Sequence, residues 1–195
     1  MSRAKSPEKR SALLDAAVRV FAAEGLGAPT ARIAQQAGVA VGTLFLYFAT
    51  KDDLLNELYI SLKREAYALV NHGFPESADL RNRTQHVWTR YVAWGTKFPE
   101  KQRVTQQLGL SDRVTATARA QASVDRAQVD AVLNDLAAGL RPSELGAEFV
   151  AGMMLSMQEA AMAFADRHPR QKKQSLEAGF EAFWRAVGLA GNSSK

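Results

Sequence analysis

The residues best suited to chemistry lie in one segment, PTARIAQQAGVAVGTLFLYFATK, spanning 29–51. Thr30, Thr43 and Tyr47 offer hydroxyls, and Arg32 and Lys51 offer cations; both suit phosphate oxygens. Val41 and Leu46 suit thymine methyl groups, and Gly42 lets backbone come close to a duplex. No residue here forms the bidentate pairs that arginine makes with guanine or asparagine with adenine, so specificity per half-site is expected to be modest and partly indirect.

To act together, these side chains need two short helices and a turn. The first is expected from about Pro29 to Ala37, with Ile33, Ala34 and Ala37 facing inward. Gly38 sits at the sharp turn, where a left-handed backbone carries no Cβ penalty. Val39 plugs the gap, and the second helix runs from about Val41 to Phe48 with Leu44 and Phe48 as its buried seam. This is the layout of a helix-turn-helix whose second helix enters the major groove. Thr50 and Asp53 form a capping box that opens the next helix and brings Lys51 to its start.

Over about the first quarter of the chain the segment resembles the DNA-binding domain of the TetR family of transcriptional regulators. The resemblance rests on Phe21 and Gly25, Ile33-Ala34, Ala37-Gly38-Val39, Gly42-Thr43-Leu44, Tyr47-Phe48, and Lys51 with Asp53-Leu54-Leu55. It implies an all-α fold: an N-terminal three-helix helix-turn-helix domain and a larger helical bundle for ligand binding and dimerisation. It also implies that Lys9 and Arg10 face DNA phosphate. One departure stands out. The family most often has tyrosine where this chain has Phe45; the ring cannot donate to a phosphate and is expected to pack.

The charge distribution agrees with a nucleic-acid end. The net charge is +5 over 195 residues. Residues 1–51 hold seven Lys/Arg against three acids, leaving about +1 for the rest. The chain has no cysteine, which excludes a disulfide framework and thiol chemistry. It shows no signal-peptide pattern, and its longest apolar run, Phe149 to Ala165, contains Gln158 and Glu159; a cytoplasmic protein without membrane contact is expected.

The domains are expected at 1–51 and 52–190. A basic arm with Arg3 and Lys5 precedes a helix from Ser6-Pro7 to about Glu24, ended by Gly25. A long helix follows from Asp52 to about Asn71. The remainder reads as helices over Leu80–Phe98, Glu100–Leu108, Ser111–Ala138, Ser143–Arg167 (started by Pro142) and Gln171–Leu189, with a frayed tail.

Two sites are expected in this larger part. Phe149 to Ala165 is apolar almost all round and needs burial on two sides. Gly152, Ser156 and Ala160 make a small-residue stripe, and Phe180, Phe183 and Trp184 a wide apolar face. Two copies packing these helices would close a four-helix bundle about a two-fold axis. Trp88, Tyr91 and Trp94, with Met153, Met157 and Gln158, supply apolar walls and a few polar groups for a largely apolar small-molecule effector. Such a ligand would shift the long helix and change the spacing of two DNA-binding heads.

An enzyme is the first rival. His72, His86 and His168 are scattered, and there is neither a Gly-rich phosphate loop after a strand nor a GxSxG elbow. No catalytic residue, metal or cofactor is therefore expected. A helical protein-binding module that does not use DNA is the second rival, but it leaves the basic head unexplained. The sequence thus points to a homodimeric regulator, a repressor, on a pseudo-palindromic double-stranded DNA operator.

Overall fold

The computed structural model describes residues 6–140 and 143–188. The expectations for Arg3, Lys5, Pro142 and the tail from residue 189 fall outside them. Among the described residues every regular element is helical: α1 Pro7–Glu24, α2 Thr30–Gln36, α3 Val41–Tyr47, α4 Lys51–Asn71, α5 Leu80–Lys97, α6 Pro99–Gly109, α7 Ala116–Ala122, α8 Ala127–Gly139, α9 Gly146–Arg167 and α10 Lys172–Gly188. Single 3-10 turns, Ser143–Leu145 and Pro169–Gln171, precede α9 and α10. Among these residues no helix is long and apolar enough to cross a membrane.

The chain packs as two compact units, one of Met1–Glu65 with Phe98–Val124, the other of Ala66–Lys97 with Asp125–Lys195. They do not divide at residue 51. Helices beyond that point carry apolar residues that join the core of the first unit: Leu54, Leu55 and Leu58 from α4, Val104 and Leu108 from α6, and Ala118 and Ala122 from α7. They pack there with Leu13 and Phe21 of α1, Ile33 of α2, and Leu44 and Phe48 from the second short helix and its end.

The expected single helix Ser111–Ala138 is two helices. Thr115 caps α7 by accepting the Ala118 N–H at 3.1 Å. At its end the Ser123 hydroxyl donates to the Arg119 carbonyl at 2.9 Å. The apolar positions on either side of this break serve different cores. Val114, Ala118 and Ala122 belong to the first unit, while Val129, Val132, Leu133 and Leu136 lie in the segment assigned to the second. Seen along the sequence, these two sets merge into one loose apolar stripe.

In the second unit the core centres on aromatic rings. Trp88 of α5 stacks on Phe183 of α10 at 5.8 Å and meets Phe180 edge-on at 6.0 Å. Gly179 permits this approach: a Cβ there would lie 3.0 Å from Ala161 Cβ and 3.1 Å from Trp88 Cζ2. α5 is also held by ion pairs, Arg83 to Asp135 of α8 at 2.9 Å and Arg81 to Glu181 of α10. The Arg81 guanidinium lies 5.4 Å from the Phe180 ring centre, where a cation favours the electron-rich face.

Candidate DNA-binding helix-turn-helix

The turn between α2 and α3 is built from backbone bonds. Gly38 takes φ 67°, the left-handed value that only glycine reaches without strain. Its N–H donates to Gln35 O at 3.1 Å, and the Val39 N–H donates to Ala34 O at 3.0 Å. This paired closure satisfies the last carbonyls of α2 and fixes the angle at which α3 leaves. Val39 is half-buried against the core. Ile33 and Leu44 are fully buried and Phe48 nearly so, which pins both short helices on the α1–α4 scaffold.

The capping box is present in full. Asp53 N–H donates to Thr50 Oγ1 and Thr50 N–H to Asp53 Oδ2, both at 3.0 Å. Ser6 caps α1 by accepting the Lys9 N–H at 3.3 Å. The Ser6 N–H in turn donates to the Tyr47 hydroxyl at 3.0 Å. That bond fastens the start of α1 to the end of α3 and leaves the Tyr47 proton free to be donated elsewhere.

The predicted DNA-facing residues divide by what they already touch. Val41, Gly42 and Leu46 stand in solvent on α3, and Leu46 is 67% exposed. A Cβ on Gly42 would meet nothing within 4 Å, so packing does not demand glycine there. Thr30, Thr43 and Tyr47 are half-buried at the flanks. Arg32 is exposed but held by Glu24, with Nη2–Oε1 at 3.1 Å and Nε–Oε1 at 3.3 Å. Arg10, expected to face phosphate, pairs with Glu57.

Lys51 does more than point outward. Its ammonium donates to the Ala28 carbonyl at 2.6 Å and sits 5.8 Å from the Phe21 ring centre. Burial and, less strongly, the Arg113 charge push its pKa below the ordinary lysine value, while Asp52 opposes them. Lys51 thus ties the start of α4 to the loop before α2, and any phosphate contact would have to use its remaining protons.

Phe45 corrects the sequence reading. Its ring was expected to pack; instead it is 42% exposed, beside Val41 at 41%. The two are four residues apart and share a face of α3. The spacing from Val41 was the signal that placed Phe45 outward; the seam formed by Leu44 and Phe48 had no room left for it.

The sites expected in the second unit fare unevenly. Gly152, Ser156 and Ala160 lie exposed along α9 together with Phe149, Leu155 and Phe164. Phe180 and Phe183 do not belong to that surface: at 2% and 0% exposure they are spent on Trp88 within their own unit. Trp184 is half-buried. Trp88, Tyr91 and Trp94 are all buried, and Met153 and Met157 are half-buried. Gln158 is 3% exposed, and neither its Nε2 nor Trp88 Nε1 has a hydrogen-bond partner among the described residues. No group of three or more His, Cys, Asp or Glu able to hold a metal occurs among those residues.

The family described as bacterial regulatory proteins, tetR family, matches residues 13–58. The chain is 48% identical over 48 residues to the fatty acid metabolism regulator protein of Bacillus subtilis (strain 168); that match covers 24% of this chain and only 25% of the relative. Similarity over the whole length comes from solved structures. A crystal structure from Shewanella sp. PV-4, assigned to the tetR family of transcription regulators, is 29% identical, with a TM-score of 0.77 and 92% and 97% of the two chains covered. The transcriptional regulator FadR of Bacillus subtilis, solved in complex with stearoyl-CoA, shares the fold at 20% identity and a TM-score of 0.66, covering 95% of this chain and 99% of its own. A helix-turn-helix with these bonds, a family match over its core and a likeness in fold along nearly the full length lead to one conclusion: residues 13–58 form a DNA-binding domain of the tetR family of bacterial regulatory proteins, on a chain that folds like such regulators along nearly its full length.

Proposed function

We propose that this chain is a cytoplasmic, homodimeric transcriptional regulator, a repressor that leaves a pseudo-palindromic operator when a small, largely apolar effector binds. The observation that carries the reading is α3 itself: a short helix set by the Gly38 turn, with Val41, Gly42, Phe45 and Leu46 in solvent on a basic head. Each head would lay α3 in a major groove, with Thr30, Thr43 and Tyr47 hydroxyls and Lys51 on phosphates. Arg32 joins them only by leaving Glu24.

The exposed apolar stripe of α9 supports a second copy as its cover. Phe149, Leu155 and Phe164 flank the small residues Gly152, Ser156 and Ala160, so another helix can come close along the middle while large side chains seal the edges. The unpartnered donors of Trp88 and Gln158 support an effector in the second unit, since buried donors are ordinarily satisfied. The relatives named above, one a fatty acid metabolism regulator and one complexed with stearoyl-CoA, make acyl compounds the first class to screen. An effector that binds one head spacing better weakens DNA binding by the same coupling energy, typically ~1–3 kcal/mol.

Selection from a pool of random duplexes tests the reading. An inverted repeat with two equivalent half-sites is expected, protected in footprinting on one face of the helix. A pool that never converges, from a protein that is folded and dimeric, would favour the protein-binding module instead.

A further inference from the structure

We propose that this protein reads its operator chiefly through C5-methyl groups, with Phe45 as a reading residue beside Val41 and Leu46. The inference deepens the proposed DNA-binding function and rests on it. Val41, Phe45 and Leu46 are 41%, 42% and 67% exposed, the outward side chains of a helix whose other large apolar residue, Leu44, is fully buried. Between them stands only Gly42, with open space above it. The hydroxyl-bearing Thr43 and Tyr47 lie half-buried at the flanks, and the Tyr47 oxygen already accepts the Ser6 N–H. The outward face of α3 therefore holds no amide, guanidinium or carboxylate with which to match the donors and acceptors of base edges.

The major groove offers such a face one apolar feature, the methyl on C5 of thymine. A 5-methylcytosine carries the same group at the same place. Attraction to the duplex comes from the basic head, so the apolar face need only discriminate. Val41 and Phe45 are one turn apart, about 6 Å along the helix, or roughly two base steps of a groove that α3 follows. The half-site is expected to carry thymines about two positions apart, with Leu46 reaching a neighbouring one.

The test uses the full-length protein and the duplex recovered by selection, with each half-site thymine replaced in turn by deoxyuridine. This removes a methyl and leaves base pairing intact. Each contacted methyl lost should weaken wild-type binding about fourfold, the value of one buried methyl group. In Phe45→Ala and Leu46→Ala the deoxyuridine penalty should vanish at the position each residue reads. Both sites are solvent-exposed, and unchanged thermal melting would show that the variants are folded. Equal affinity for the thymine and deoxyuridine duplexes at every position would overturn the proposal, as would penalties that persist undiminished in both variants. A selection that recovers no preferred duplex would overturn the proposed function itself, and this reading with it.

Discussion

The two units differ in how their polar groups are satisfied. In the first, local bonds close almost every account: Ser6 and Thr50 cap helices, Gly38 closes α2, and Lys51 meets the Ala28 carbonyl. In the second, four buried side-chain atoms among the described residues lack a partner: Asn71 Oδ1, Arg83 Nε, Trp88 Nε1 and Gln158 Nε2. The first unit has one, Gln107 Oε1. On the proposed function, a head that presents one rigid surface to DNA gains from having nearly all of these groups satisfied. On the same proposal, a unit that takes up an effector gains from polar groups held in reserve, at a cost in stability. Precision would then belong to the first unit and responsiveness to the second.

The sharpest blow to this contrast falls on the aromatic core. Phe183→Ala should cost about 3–5 kcal/mol in denaturant unfolding, because the ring is spent on Trp88 inside one subunit. Dissociation of a dimer without loss of subunit stability would return Phe183 to the interface. Next in size, Ser156→Arg should leave the melting of secondary structure unchanged, since the site is exposed, yet yield monomers in sedimentation and weaken operator binding by about two orders of magnitude. The charge would meet its own symmetry mate at a two-fold axis. A variant that stays dimeric would remove α9 from the interface.

Smaller effects discriminate more finely. Lys51→Ala should lower stability by about 1 kcal/mol, a partly exposed charged hydrogen bond, and also weaken binding to all duplexes alike. Lower affinity at unchanged stability would make Lys51 a phosphate contact only. Gln158→Met should stabilise the ligand-free protein by about 1 kcal/mol, some 2–4 °C in melting temperature, by removing an unsatisfied amide. A loss of similar size would show that the amide is satisfied and the reserve illusory.

How much was legible in the sequence follows the same division. The head could be placed nearly to the residue because its signals are local: a cap, a turn glycine and a capping box each act within four positions. Even there, the partners of Arg10, Arg32 and Lys51 were hidden, since Glu57, Glu24 and the Ala28 carbonyl lie 47, 8 and 23 residues away. In the second unit the helices were legible from their period, but their allegiance was not. Periodicity marks a face as buried without saying by what, which is why Phe180 and Phe183 looked like interface and Ser111–Ala138 like one helix. Phe45 was missed because its exposure depends on Leu44 and Phe48 having already filled the seam.

The central claim, that α3 and the basic head exist to bind operator DNA, is tested most directly by a titration. The duplex is the region immediately upstream of the protein's own gene, at 50 and 200 mM salt with random DNA in large excess. The account predicts tight binding to an inverted repeat within that region, weakening about a thousandfold between the two salt concentrations as two heads release about six phosphate counterions. Binding that is absent at the lower salt concentration, or indifferent to salt, would contradict it.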